Sequence, residues 1–339
     1  PTGLESARTL AQAVIDAIGQ PIHLGSQVVT IGATVGIAVA PEHGLEVDIL
    51  HRHADLALYR AKAAGRNSFK VYTAGMDEAL ENRNKLEFDM HLAHRKEEFR
   101  LHYQPVVGMA DGQVRAFEAL MRWPHPTRGM VSPAEFIPIA EETGLIIPIG
   151  EWVLREACRE AATWPGEIKV AVNLSPVQFR QQGLVPTVVS ALVNARLDPR
   201  RLELEITESV LLADSDANLA VLHQLRDLGL RIAMDDFGTG YSSLSYLRTF
   251  PFDKIKIDQS FVRELGVNRH CAAIVRAVAG LGADLGITTV AEGVETTEQR
   301  DHLRLEGCDE MQGYLFSRPL PVTALRKLIA ETEQAAQAA

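Results

Sequence analysis

The chain has 339 residues, of which 46% are hydrophobic and 23% charged, with a formal net charge of −10. That length holds one large domain plus a smaller piece, and the acidic balance argues against DNA or RNA held on a broad basic surface. It leaves room for a phosphate-bearing ligand wherever bound divalent cations invert the local field.

The first 73 residues read as a small α/β segment. Helical periodicity runs from Leu4 to Ile18, and strand-like runs follow at residues 27–31 and 34–39. After the turn Pro41-Glu42-His43-Gly44, a helix is predicted over residues 47–64, stopped by Gly65, and then a short strand at residues 68–72. The stretches Ala33-Thr34-Val35-Gly36-Ile37-Ala38 and 54–67 (ADLALYRAKAAGRN) resemble the C-terminal half of a GGDEF (diguanylate cyclase) domain. The hairpin that names that family, Gly-Gly-Asp/Glu-Glu-Phe, is absent, as is its earlier metal-binding aspartate strand. Lys62 and Arg66 match triphosphate-contacting positions, but without the hairpin they are assigned no active role and the segment is expected to synthesise nothing.

Residues 74–97 are predicted to form a connecting helix, with Met76, Leu80, Leu86, Met90 and Leu92 at roughly helical spacing. A second unit occupies residues 98–332, followed by an Ala/Gln/Glu-rich tail at 333–339 that is expected to fray. The second unit repeats one pattern, a short apolar run ending in a polar residue. Residues 115–117 lead into Glu118, 168–172 into Asn173, 202–204 into Glu205, and 230–234 into Asp235-Asp236. Residues 252–255 lead into Lys256, 287–291 into Glu292, and 308–311 into Gln312. Helix-length stretches lie between them. This alternation predicts a (β/α)-barrel whose site is gathered at the C-terminal mouth of its strands.

A single strand-end carboxylate is explained by helix capping, but five carboxylates with two amides and a lysine are not. Glu, Asn and Asp are hard oxygen donors suited to Mg²⁺ or Mn²⁺, and a pair of such ions is a recurring device for phosphoester hydrolysis. Adjacent Asp235 and Asp236 are expected to leave their strand on opposite sides, one bridging two metals and the other facing a neighbouring ligand or water. Lys256 is expected to activate a nucleophilic water or neutralise a phosphoryl oxygen. A Schiff-base role is disfavoured, because surrounding carboxylates raise an ammonium pKa. The small-residue stretch 236–243 (DFGTGYSS) reads as a mobile active-site loop.

These motifs resemble the EAL family of cyclic-di-GMP phosphodiesterases. Glu118-Ala119-Leu120 is the naming motif, within 117–123 (FEALMRW). Around it, in order, stand Tyr103-Gln104-Pro105, Asn173-Leu174-Ser175-Pro176, Glu205-Ile206-Thr207-Glu208 and 235–240 (DDFGTG). The set closes with Lys256-Ile257-Asp258, Glu292-Gly293-Val294-Glu295 and Gln312-Gly313-Tyr314. The resemblance implies a TIM-type (β/α)8 barrel with an irregular antiparallel first strand at residues 101–106. It implies one metal bound by Glu118, Asn173, Glu205 and Asp235, and a second served by Asp235, Asp236 and Glu292. Lys256 would orient or polarise the nucleophilic water, Gln312 would hold the ligand and water network, and Glu208 would tie down the loop after Asp236. Leu120, Arg122 and Asp258 would contact the dinucleotide.

The implied reaction is hydrolysis of cyclic-di-GMP to linear 5′-pGpG with Mg²⁺ or Mn²⁺, by a homodimer joined through the barrel. Ca²⁺ is expected to inhibit, because its larger, more variable coordination spreads a site tuned for Mg²⁺. The alternative is a silent barrel serving as a cyclic-di-GMP receptor or protein-interaction module. Silent relatives usually lose a metal ligand or the lysine, and none is missing here. A Mg²⁺-dependent lyase of another barrel family explains the carboxylates but not the ordered motifs. His51, His53, His91, His94 and His102 lie away from the strand ends and read as surface or core residues. Trp123, Trp152 and Trp164 read as core, while either Tyr241 or Tyr314 is a candidate to lie near a guanine. Cys158, Cys271 and Cys308 match no metal-ligand spacing and read as reduced thiols of a cytoplasmic protein. No apolar run approaches the roughly 18–20 residues of a membrane helix, and no signal peptide is seen. The chain opens at Pro1, so sensory or anchoring segments upstream are compatible with it.

Overall fold

The computed structural model describes residues 3–24, 27–181, 183–212, 215–238, 250 and 252–338. The chain divides into two compact units, Pro1–Asp89 and Met90–Ala339. The division falls inside the helix Met76–Arg95, in the region where a connecting helix was expected.

In the first unit the helix Leu4–Ile18 turns Ala11 and Ile15 inward. A hairpin follows, with β1 (Ile22–Leu24) antiparallel to β2 (Gln27–Val29); the run at 22–24 was not expected as a strand of its own. β3 (Val35–Ile37) pairs in parallel with β4 (Phe69–Val71) across the helix Val47–Ala63. That helix lies flat on β3 because residue 36 is glycine: a Cβ there would sit 2.0 Å from the Ala54 carbonyl oxygen.

The second unit is a closed barrel of eight strands. These are β5 (Arg100–Gly108), β6 (Val114–His125), β8 (Lys169–Leu174), β9 (Leu202–Thr207), β10 (Arg231–Phe237), β11 (Lys254–Ile257), β12 (Thr288–Ala291) and β13 (Glu310–Gln312). Neighbours from β6 to β13 are parallel. β5 closes the ring antiparallel to both β6 and β13, with a register shift at Val106/Val107, as the irregular first strand required. A short β7 (Gly129–Val131) extends β6 and β14 (Leu320–Pro321) extends β5; neither was expected.

The strands read as they do because side chains alternate between two faces. On β9, Leu202, Leu204 and Ile206 are fully buried against the outer layer, while Glu203 and Glu205 take the alternate positions. The helix Ile146–Ala161 supplies Ile149, Val153, Leu154 and Ala157 to that layer. Trp164 meets Tyr103 and Phe117 edge-on, and Trp123 packs between Phe99 and Phe136. All three cysteines are buried and free. The helix Val322–Ala338 continues through most of the segment expected to fray. Among the described residues no helix is long and apolar enough to cross a membrane.

Candidate active site

The functional side chains come from successive strands of the barrel. β6 delivers Glu118, β8 Asn173, β9 Glu205, β10 Asp235 and Asp236, β11 Lys256 and β13 Gln312; Glu292 follows β12 directly. Gln104 on β5 completes the ring, since the antiparallel register sets it opposite Glu118.

Lys256 sits at the centre of the group. Its Nζ lies 2.7 Å from Glu205 Oε2 and 2.7 Å from Glu292 Oε1, with Asp235 Oδ1 at 3.1 Å and Glu118 Oε2 at 3.9 Å. Glu118 is held on both oxygens: Asn173 Nδ2 donates to Oε1 at 2.6 Å and Gln312 Nε2 to Oε2 at 2.6 Å. Gln312 Nε2 also donates to Gln104 Oε1 at 3.1 Å, and Gln104 Nε2 donates to the Ser317 carbonyl at 3.2 Å. Gln104 belonged to a recognised motif but had been given no role. Its signal was a buried amide directly ahead of the apolar run Pro105-Val106-Val107.

The paired aspartates depart from the expectation of opposite faces. The register of β10 against β11 shifts between Met234 and Phe237, and Asp236 has φ +53°. Such a bulge breaks the alternation and re-aims a side chain. Asp235, Asp236 and Glu292 therefore each offer an oxygen within 4.8 Å of the others, and the Asp236 amide donates to Asp235 Oδ1 at 3.0 Å.

Five carboxylates share one ammonium, and the titration of the group reflects that imbalance. Burial pushes Glu205 well above the ordinary carboxylate range, with Lys256 opposing and Glu118 and Asp235 adding to the rise. Burial, reinforced by Asp235 and Glu118, pushes Glu292 up to about 8. Asp236 is raised by burial and then by Asp235. Burial also works against the charge on Glu118, but Lys256 and the amides of Gln312 and Asn173 outweigh it and hold that carboxyl low. Lys256 stays charged because the surrounding carboxylates overcome its own burial. A cluster of hard oxygen donors whose mutual repulsion resists ionisation fits divalent cations, which relieve that repulsion.

Two cavities open at the mouth. One of about 320 Å³ is lined by Glu118, Lys256, Glu292, Gln312 and Tyr314, among others. The other, of about 460 Å³, has an apolar wall from Ile137, Ile146 and Val153, and includes Arg122 and Asp236. Leu120, Asn173 and Asp235 line both. Asp258, expected at the dinucleotide, lines neither. It caps the helix Gln259–Arg263, its carboxylate accepting from the Ser260 amide at 3.0 Å. Glu208 Oε1 accepts from the Gly238 amide at 3.2 Å, tying the backbone just after Asp236-Phe237. The rest of that loop, residues 239–243 with Tyr241, lies outside the described residues. His102 lines neither cavity.

Gln312 is aimed by its neighbour. Val294 donates its amide to the Gln312 carbonyl at 3.1 Å, and a Cβ on Gly313 would lie 2.0 Å from the Val294 carbonyl oxygen. Tyr314 follows with its ring under the Arg318 guanidinium at 4.4 Å.

Comparison with known proteins gives a consistent picture. The EAL domain family matches residues 88–319, and the diguanylate cyclase GGDEF domain family matches residues 2–68. The chain is 52% identical over 323 residues to protein y4lL of Sinorhizobium fredii, covering 95% of this chain and 39% of that protein. It is 43% identical over 328 residues to the bifunctional diguanylate cyclase/cyclic di-GMP phosphodiesterase MucR of Pseudomonas aeruginosa, covering 96% of this chain and 48% of that one. The chain thus spans less than half the length of either relative. A solved structure of the PaMucR phosphodiesterase in a c-di-GMP complex superposes with a TM-score of 0.69 at 46% identity, over 71% of this chain and 99% of that one.

Proposed function

The chain belongs to the EAL domain family, and from that premise we propose that its barrel hydrolyses cyclic-di-GMP to linear 5′-pGpG with two Mg²⁺ or Mn²⁺ ions. The observation that carries the proposal is the convergence of Glu118, Asn173, Glu205, Asp235, Asp236 and Glu292 with Lys256 at one mouth.

Glu118, Asn173, Glu205 and Asp235 would hold one cation, and Asp235, Asp236 and Glu292 would serve the other. Bound there, the pair supplies Lewis acidity to the attacking water and to the departing 3′-oxygen. Lys256 orients the water and balances charge on the phosphoryl oxygens. Gln312 and Gln104 hold Glu118 and the ligand network in register, while Leu120 and Arg122 seat the dinucleotide across the two cavities. Glu208 steadies the loop that follows the aspartates. The enzyme works as a homodimer through the barrel, and Ca²⁺ inhibits it.

Glu118→Ala tests the assignment. It removes a metal ligand together with the acceptor for two amides, so turnover of cyclic-di-GMP should fall below detection. Hydrolysis by this variant at the wild-type rate would sink the site assignment.

A further inference from the structure

A second charged group lies beneath the mouth. Glu203, Lys254 and Glu310 stand two residues before Glu205, Lys256 and Gln312 on β9, β11 and β13. Residues two apart share a strand face, so the lower three look into the barrel interior as the upper three do. Lys254 Nζ lies 2.8 Å from Glu203 Oε1 and 3.0 Å from Glu310 Oε2, and Lys254 and Glu203 are buried. The sheet partners of Lys254 are Ala233 on β10 and Thr288 on β12. Its ammonium therefore reaches past both adjacent strands and ties together the three that carry Glu205, Lys256 and Gln312.

Stability alone does not account for such a group, since buried ion triads are often replaceable by apolar side chains without loss. Net charge does not account for it either. A cation under a site for cations opposes their binding, so if charge were all that mattered, removing Lys254 would tighten the site. Placement is what remains: groups outside the ligand sphere affect metal affinity when they orient the ligands, and this triad would do so through the strands it joins.

We propose that Lys254 is a positioning residue for the metal-binding mouth: by clamping Glu203 and Glu310 it fixes the spacing of β9, β11 and β13 on which Glu205 and Gln312 depend. The proposal rests on the two-cation reading given above.

The test is calorimetric titration of the EDTA-stripped chain with Mn²⁺, without dinucleotide, for wild type, Lys254→Met and Lys254→Arg. Lys254→Met should bind Mn²⁺ at least about tenfold more weakly. Lys254→Arg, which keeps a cation able to reach both carboxylates, should recover at least part of the loss. Affinity of Lys254→Met equal to or tighter than wild type, in a chain whose EDTA-state circular dichroism is unchanged, overturns the proposal. If Lys254→Met does not fold, the neutral triple variant Glu203→Gln/Lys254→Met/Glu310→Gln takes its place. The same weakening is expected there, and wild-type affinity overturns the proposal. Absence of Mn²⁺ binding by the wild type itself would overturn the two-cation reading and this proposal with it, an outcome distinct from a loss confined to the variants.

Discussion

Lys256 has four carboxylates within 3.9 Å and is about 1% exposed. Breaking a buried ion pair from one side leaves uncompensated charge, at a cost of about 3–5 kcal/mol. Lys256→Met should therefore lower the melting temperature of the barrel by roughly 10 °C in EDTA. Added Mg²⁺ should recover more stability in the variant than in the wild type, because the same carboxylates then have cations to face. Scanning calorimetry with and without Mg²⁺ checks this, and equal melting of variant and wild type in EDTA would show that the lysine is not the charge partner it is taken to be. At this scale much of the site was legible in the sequence. Asn173, Asp235 and Glu292 each end a largely apolar run, where a polar residue has no packing reason to be, and Glu118, Glu205, Lys256 and Gln312 fall at the matching places in the repeat. Lys254, Glu203 and Glu310 were not legible, because a charge inside a short strand looks like its solvent-facing alternate until the strand is known to close on itself.

At the scale of the element, two local irregularities aim the site. The bulge in β10 brings adjacent aspartates to one side, and the close passage of Gly313 against Val294 turns Gln312 toward Glu118. Gly313→Ala should destabilise the barrel by about 1–3 kcal/mol through overpacking. Its catalytic defect should appear in kcat, since Gln312, which donates to Glu118, is the preceding residue. Denaturant titration beside steady-state kinetics measures both, and unchanged values for stability and kcat would mean that the turn accommodates a methyl group freely. The strand order followed from the alternation of apolar runs and helical stretches. The bulge did not, because it depends on how β10 registers with β11, a pairing between residues about twenty positions apart in sequence. β1, β7 and β14 are too short to show a period of two.

At the scale of the molecule, the eight-stranded ring converts eight scattered polar residues into one charged mouth. A barrel built around excess carboxylate is incomplete without cations, so binding is linked to folding: Mg²⁺ at a hundred times its dissociation constant should add about 2.7 kcal/mol. The melting transition of the barrel should rise on Mg²⁺ addition and fall back with EDTA, whereas Na⁺ at matched ionic strength should leave it in place. A shift of the same size with Na⁺ would assign the effect to screening. The central claim is tested most directly by incubating the purified chain with cyclic-di-GMP in Mg²⁺, in EDTA and in Ca²⁺, and resolving the products by chromatography. Linear 5′-pGpG should appear with Mg²⁺ and in neither of the others. Intact cyclic-di-GMP in all three conditions, with binding still measurable, would contradict the phosphodiesterase account and leave the barrel as a receptor.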